Sequence, residues 1–323
     1  GELSPASVYN LPECFERANR LFQHTRLLTR LAPRRPPRIW HATYPLPMTV
    51  RGAKQLTTVH DLIPLRLPHT TLDDKEFFFG LVREAVRRSD LVLTVSEHTR
   101  KDLLEQFDVA PEKVVVTYQP VPEPAPGVAR REAQRLLRTH QLRSGEYLLF
   151  VGNIEPKKNL GRLLEAYAGI DTELPLVVVG RKAWLWEQEL RKAGPLLEGS
   201  ARRPPRLRLL DYVSREDLDA LYANAALLAF PSLYEGFGLP PLEAMSLGCP
   251  VLTSETSSMP ELCGEAALYV DPYSVGDLRA KLTRMLESEP LRRQLALKGR
   301  EQVRRFNMQD YRRRLSQAYL QVL

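Results

Sequence analysis

FPSLYEGFGLPPLEAMSLGCPV, residues 230–251, decides the fold. An apolar run ends at Phe230, a glycine-containing loop follows, and a helical pattern begins near Pro240 and stops at Gly248. Another apolar run begins after Cys249. Proline suits the first turn of a helix, where its missing N–H would be unpaired anyway. Gly236 and Gly238 allow φ > 0 and close approach of backbone to a ligand. The amides opening such a helix form a ready phosphate site. Two carboxylates flank that site, Glu235 before the helix and Glu243 in its expected first turn. A carboxylate can accept hydrogen bonds from two neighbouring hydroxyls, the pattern presented by a sugar ring or a ribose. One glutamate would then hold a sugar and the other a ribose, on either side of a phosphate. The plainer reading, a helix-dipole partner and a solvated loop residue, does not explain the pair with its glycines.

Outward from this stretch, short apolar runs alternate with amphipathic ones. EYLLFVG, LPLVVVG, PRLRLLDYV, ALLAFPS and CPVLTS read as strands. NLGRLLEAYAGI, AWLWEQELRKA and SREDLDALYANA read as helices between them. Leu160, Leu163, Leu164 and Tyr167 share one face, and Ser214 caps the helix that follows it. Such alternation predicts a parallel sheet covered on both faces. The first half repeats the theme with RIWHATY, KQLTTVHDL, SDLVLTVS and KVVVTY as strands. LDDKEFFFGLVREAVRRS and SEHTRKDLLEQF are its helices, with Ser96 as the cap of the second. YQPVPEPAPG, residues 118–127, is too rich in proline for either element and reads as a linker. The expected organisation is a first α/β domain over 1–127, a second over 128–305, and a C-terminal helix over 306–323 that packs back on the first. Ligands of open α/β sheets sit beyond the carboxyl ends of the strands. Lys158, Glu235 and His60 all fall at such ends.

Composition narrows the function. The 323 residues carry a formal charge of +7, 43% apolar residues and three cysteines. No apolar run is long enough to span a bilayer. Cys14, Cys249 and Cys263 form neither a disulfide framework nor a zinc-like pair, which fits a reducing cytoplasm. Much of the excess charge lies in residues 128–145, with five arginines against one glutamate. That segment lacks the interleaved aromatics of a nucleic-acid surface. It fits a solvated helix face or peripheral contact with an anionic membrane at its inner side. Asp217 and Asp219 have a D-x-D spacing but lie on an amphipathic helix, and Asp73-Asp74 reads as a helix start. No metal site is expected from either pair.

EGFGLPPLE resembles the E-x7-E motif of retaining glycosyltransferases of family four, whose GT-B fold sets two Rossmann-like domains face to face. VGNIEPKKNLGRLLEAY, DYVSREDLDALYANA, PSLYEGFGLPPLEAMSLGCPVLTSETSSMPEL and GEAALYVDP resemble that family in its own order. The likeness is strong from 146 to about 290 and weaker over 37–120. It implies a hexose moved from a nucleoside diphosphate sugar to a glycan or lipid-linked acceptor. Lys158 would bind the diphosphate and Glu235 the sugar, with His60 approaching from the first domain. Gly236, Phe237, Gly238 and Leu239 would line the phosphate, and Glu243 would hold the ribose. Gly180, Arg181 and Val213 match positions around the base. Asn153 stands where many relatives have a nearby arginine, so Lys157 or Arg181 would supply the cation. Asp61 would orient His60 or cap the next loop; His41 is a second strand-end histidine. GRKAWLWE and SLYEGFGLP are most similar to bacterial mannosyltransferases of surface polysaccharide synthesis, which suggests GDP-mannose. No metal cofactor is implied, because lysine and helix amides would balance the leaving diphosphate.

One departure stands out. The family usually opens with a strand and a glycine-rich loop, whereas residues 1–126 hold only Gly1, Gly52 and Gly80. Either the first domain is abbreviated or an N-terminal piece is missing, and a non-catalytic protein that kept the fold to bind nucleotide-sugar or glycan is the alternative.

Overall fold

The computed structural model describes residues 13–123, 130–198 and 205–323. The end of the expected linker, 124–127, and the start of the basic segment, 128–129, lie outside the described residues. In the first half, β1 (Thr29–Leu31) pairs in parallel with β3 (Met48–Val50). A separate four-stranded parallel sheet joins β2 (Ile39–Ala42), β4 (Lys54–Val59), β5 (Leu91–Thr94) and β6 (Val114–Val116), in that order. The second half forms a six-stranded parallel sheet from β7 (Leu148–Val151), β8 (Leu176–Val179), β9 (Leu207–Leu210), β10 (Leu227–Phe230), β11 (Val251–Ser254) and β12 (Ala267–Val270). Its order is β12-β11-β10-β7-β8-β9. Counted from its own first strand, this is the doubly wound Rossmann order. The two sheets make the chain a GT-B fold.

The apolar runs explain the sheet. β7, β8, β10 and β11 are buried throughout, as strands covered on both faces must be. Side chains alternate along each strand. Leu149, Val151, Val177, Val179, Leu228 and Phe230 enter one core layer. Leu148, Phe150, Leu176, Val178, Leu227 and Ala229 enter the other. Ser214, Ser96 and Asp74 each accept a hydrogen bond from the amide three residues on, so all three start helices as their sequence positions imply. The expected helix over AWLWEQELRKA is cut to Trp186–Glu189. Leu185 turns left-handed there, and the Glu189 carboxylate accepts from the Gly161 amide at 2.7 Å. Glu189 is thus drawn onto the start of the neighbouring Leu160–Ala168 helix, a tertiary contact that outweighs helix propensity.

The C-terminal helix Met308–Val322 crosses back to the first domain. Ala318 is buried against Leu56, Leu91 and Leu93 of β4 and β5. His41 Nδ1 lies 2.9 Å from the Tyr319 hydroxyl, and its Nε2 lies 2.8 Å from Thr58 Oγ1. His41 therefore joins helix to sheet. Burial, and then nearby His60, hold its ring below the ordinary histidine value. The folded chain binds fewer protons at this site than the unfolded chain. Stability from the group is whole above about pH 6.5 and is lost as pH falls through the folded value. Subtracting the pH profile of His41→Gln from that of wild type in urea denaturation should leave a loss of midpoint on acidification. A flat difference would show that His41 does not sense the docking of the helix.

Candidate active site

β7 and β10 are neighbours at the point where the sheet order reverses. Ligands of such sheets bind beyond this point. The turn Pro156–Lys158 follows β7 and the loop with Glu235 follows β10. Lys158 Nζ lies 2.6 Å from Glu235 Oε1, with side-chain exposures of 14% and 12%. The ammonium also sits 5.2 Å from the centroid of the Phe230 ring. Removing either charge from water is costly unless the other compensates it.

The Glu235 loop is held by side chains from other elements. Ser257 Oγ accepts from the Glu235 amide at 3.0 Å. Ser258 Oγ contacts the carbonyls of Glu235 and Phe237 at 2.9 and 2.6 Å. Asn159 donates through Nδ2 to the carbonyls of Pro231 and Pro272 at 2.9 and 2.7 Å. These three residues went unassigned in the sequence. For the two serines the polar run after β11 was the available signal, but their partners lie some twenty residues away, and those of Asn159 lie 72 and 113 away.

The same loop is pressed against the first domain. A Cβ on Gly236 would stand 2.0 Å from the His60 carbonyl oxygen. Gly236 has no positive φ, contrary to expectation; it is glycine because the other domain's backbone occupies the space. Gly238 does, at φ 113°. The Gly236 carbonyl accepts from Ser96 Oγ at 2.7 Å and from Thr99 Oγ1 at 3.2 Å. Tyr234 donates its hydroxyl to Asp102, which also pairs with Arg66 at 2.5 Å. Glu261 accepts from the amides of Glu97 and His98 at 2.8 and 3.0 Å, complementing the helix start across the interface.

His60 closes β4 and is exposed. Its Nε2 lies 2.9 Å from the Thr43 carbonyl oxygen, which can only accept, so the proton is on Nε2. Gln119 then donates to Nδ1 at 3.1 Å. Asp61 does not orient the ring: its carboxylate accepts from the Ile63 amide at 3.0 Å, the loop-capping option. Burial raises the Asp61 pKa and that amide opposes it, with Lys157 and Glu235 close enough to act on it.

Glu243 lies in the second turn of the Leu239–Ser246 helix, not the first, because the helix begins at Leu239. Its carboxylate is 2.5 Å from Arg215 Nη1 and 3.3 Å from the Tyr222 hydroxyl. Arg215 is therefore a site residue that the sequence disguised as the first residue of a capped helix. The Phe237 ring is buried against Phe306, with centroids 5.8 Å apart, so only its backbone is left for a ligand. Leu239 is partly buried. Beyond β8, a Cβ on Gly180 would meet the Gly152 carbonyl at 1.9 Å. Exposed Arg181 lies over the Tyr212 ring at 5.4 Å, and Val213 packs behind on the core. Asn153 is exposed beside them after β7. Asp219 pairs with Arg215 at 2.9 Å.

Comparison with known proteins shows the family. The description "Glycosyl transferases group 1" matches residues 138–302, and "Glycosyltransferase Family 4" matches residues 4–123. The chain is 32% identical over 278 residues to O-antigen chain mannosyltransferase B of Escherichia coli, covering 83% of this chain and 71% of that one. It is 31% identical over 263 residues to the serotype-specific mannosyltransferase WbdA of Escherichia coli, covering 79% of this chain but 32% of WbdA. It therefore spans about a third of that second relative. Among solved structures it is similar to Anabaena HepE in complex with UDP and glucose, with a TM-score of 0.69 and 17% identity over 84% of this chain and 72% of that one.

Gly236→Ala forces the two backbones apart, an overpacking that costs about 1–3 kcal/mol. The variant should keep its circular dichroism but show a lower unfolding midpoint and faster cleavage by a protease between the domains. Unchanged values for both would mean that the loop does not bear on His60 in solution.

Proposed function

The chain belongs to the group 1 glycosyl transferases, and we propose that it moves a hexose from a nucleoside diphosphate sugar to a hydroxyl of a glycan or lipid-linked acceptor. Mannose from GDP-mannose is the donor we favour, because the most similar curated relatives named above are mannosyltransferases. The observation that carries the reading is the Lys158–Glu235 pair at the sheet's switch point. An ammonium there meets a diphosphate as a compact charge. A carboxylate there accepts hydroxyls of the sugar. Each is held by the other until a ligand offers both an anion and donors.

The donor exchanges partners on binding. Its diphosphate takes Lys158, and the released Glu235 accepts from the hydroxyls of the sugar. The amides from Gly236 to Leu239 face the phosphate. Glu243 keeps Arg215 and has acceptor sites left for a ribose, since a carboxylate offers about four. Arg181 and Tyr212 stand beside the base. In the reaction the acceptor oxygen bonds to the anomeric carbon and the bond to the phosphate oxygen breaks. The acceptor proton passes to the departing phosphate on the same face, with retention. Lys158 and the helix amides stabilise the charge that builds there, without a metal ion. Mixing the chain with GDP-mannose and an α-mannoside should give GDP and a new α-linkage by NMR. Activity abolished by EDTA and restored by magnesium or manganese would overturn the metal-independent part; a β-linked product would overturn retention.

Charge-assisted contacts are worth about 1.5–3 kcal/mol, so Lys158→Ala should weaken nucleoside diphosphate binding by roughly tenfold or more in calorimetry. Unaltered affinity would remove Lys158 from the site.

The two glutamates should fail differently. Glu235→Gln removes the anion that competes for Lys158, so nucleoside diphosphate should bind as tightly as before or more tightly while turnover drops. Glu243→Gln should weaken nucleoside diphosphate and intact donor alike, because both carry the ribose. Paired titrations of the two variants check this; parallel losses for both ligands in both variants would make the carboxylates merely structural.

A further inference from the structure

Beside His60, on the first domain, lies a cavity of about 360 Å³. We infer that it takes a neutral saccharide, the acceptor's terminal sugar, and rejects a phosphorylated one; this rests on the glycosyl-transfer reading above. Phe15 and Tyr44 line it and remain 47% and 52% exposed, so two aromatic rings are held open to solvent at one concavity. Aromatic faces suit the apolar C–H face of a sugar ring. Asn19 and Asp73, also on the wall and exposed, offer a donor and acceptors for its hydroxyls. Asp61 and His60 also line the cavity, and the His60 carbonyl packs against Gly236 of the loop that carries Glu235. A sugar held in this cavity would thus neighbour the residue whose backbone meets the loop of Glu235.

Charge sets the class of sugar. Among the described residues, the lining contains three aspartates and neither lysine nor arginine. The Asp74 carboxylate caps the neighbouring helix through the Phe77 amide at 2.9 Å, so those amides are closed to a phosphate. An anion entering here would meet three carboxylates on the described lining, with Lys157 reaching only Asp61 from outside it, which is discrimination by repulsion.

The test uses the full chain, a mannotriose, and the same trisaccharide phosphorylated at its terminal O6. Calorimetry should register the neutral probe and not the phosphorylated one. With GDP-mannose present, Tyr44→Ala and Asp73→Ala should each raise the KM for mannotriose by about tenfold. The same variants should hydrolyse GDP-mannose without acceptor at the wild-type rate. Equal binding of both probes, or an unchanged KM in both variants, would overturn the inference while leaving glycosyl transfer intact. Failure of wild type to bind or hydrolyse the donor would overturn the transfer reading and this one together.

Discussion

A buried ammonium needs an anion, and at the centre of this protein Lys158 has Glu235. The pair closes the point where the six-stranded sheet reverses its order, tying the turn after β7 to the loop after β10. On the function proposed above, that contact would set what the cleft accepts. A phosphate alone would free Lys158 but strand Glu235; a sugar alone would satisfy Glu235 and leave Lys158 partnered by nothing stronger. A sugar joined to a diphosphate meets both demands. On the function proposed above, the pair would do two jobs with one geometry: each charge compensates the other, and an intact donor would be a better ligand than either of its parts.

The loop that carries Glu235 is also a contact between the domains. Gly236 has no room for a side chain because the His60 carbonyl is there. Tyr234 reaches Asp102, and Glu261 reaches the amides that open the Glu97–Gln106 helix. The candidate donor loop and the domain contact thus share one stretch of backbone. The C-terminal helix adds a second tie, through Ala318 and Tyr319, so that the chain's end is anchored in its first half.

Much of the architecture was legible because it is local. Buried parallel strands write themselves as continuous apolar runs, and Ser96, Ser214 and Asp74 cap helices through partners three residues away. The placing of Lys158 and Glu235 at the rim followed from the rule that sites lie beyond strand ends, but their ion pair did not. What escaped was long-range. Gly236 looked like a glycine of positive φ, but what demands glycine there is a backbone carbonyl 176 positions earlier in the chain. Arg215 looked like an ordinary helix residue, yet it grips Glu243. The helix expected over 183–193 yielded to Glu189, whose partner belongs to another helix. Composition and periodicity carry no record of such pairings, because only the docking of finished elements creates them.

The central claim is an exchange of partners at Lys158, and a crystal structure of the chain with bound nucleoside diphosphate sugar tests it most directly. The account predicts that Nζ leaves Glu235 for a phosphate oxygen and that the Glu235 carboxylate accepts hydrogen bonds from the sugar. A donor bound in the cleft with the Lys158–Glu235 contact still intact would contradict it.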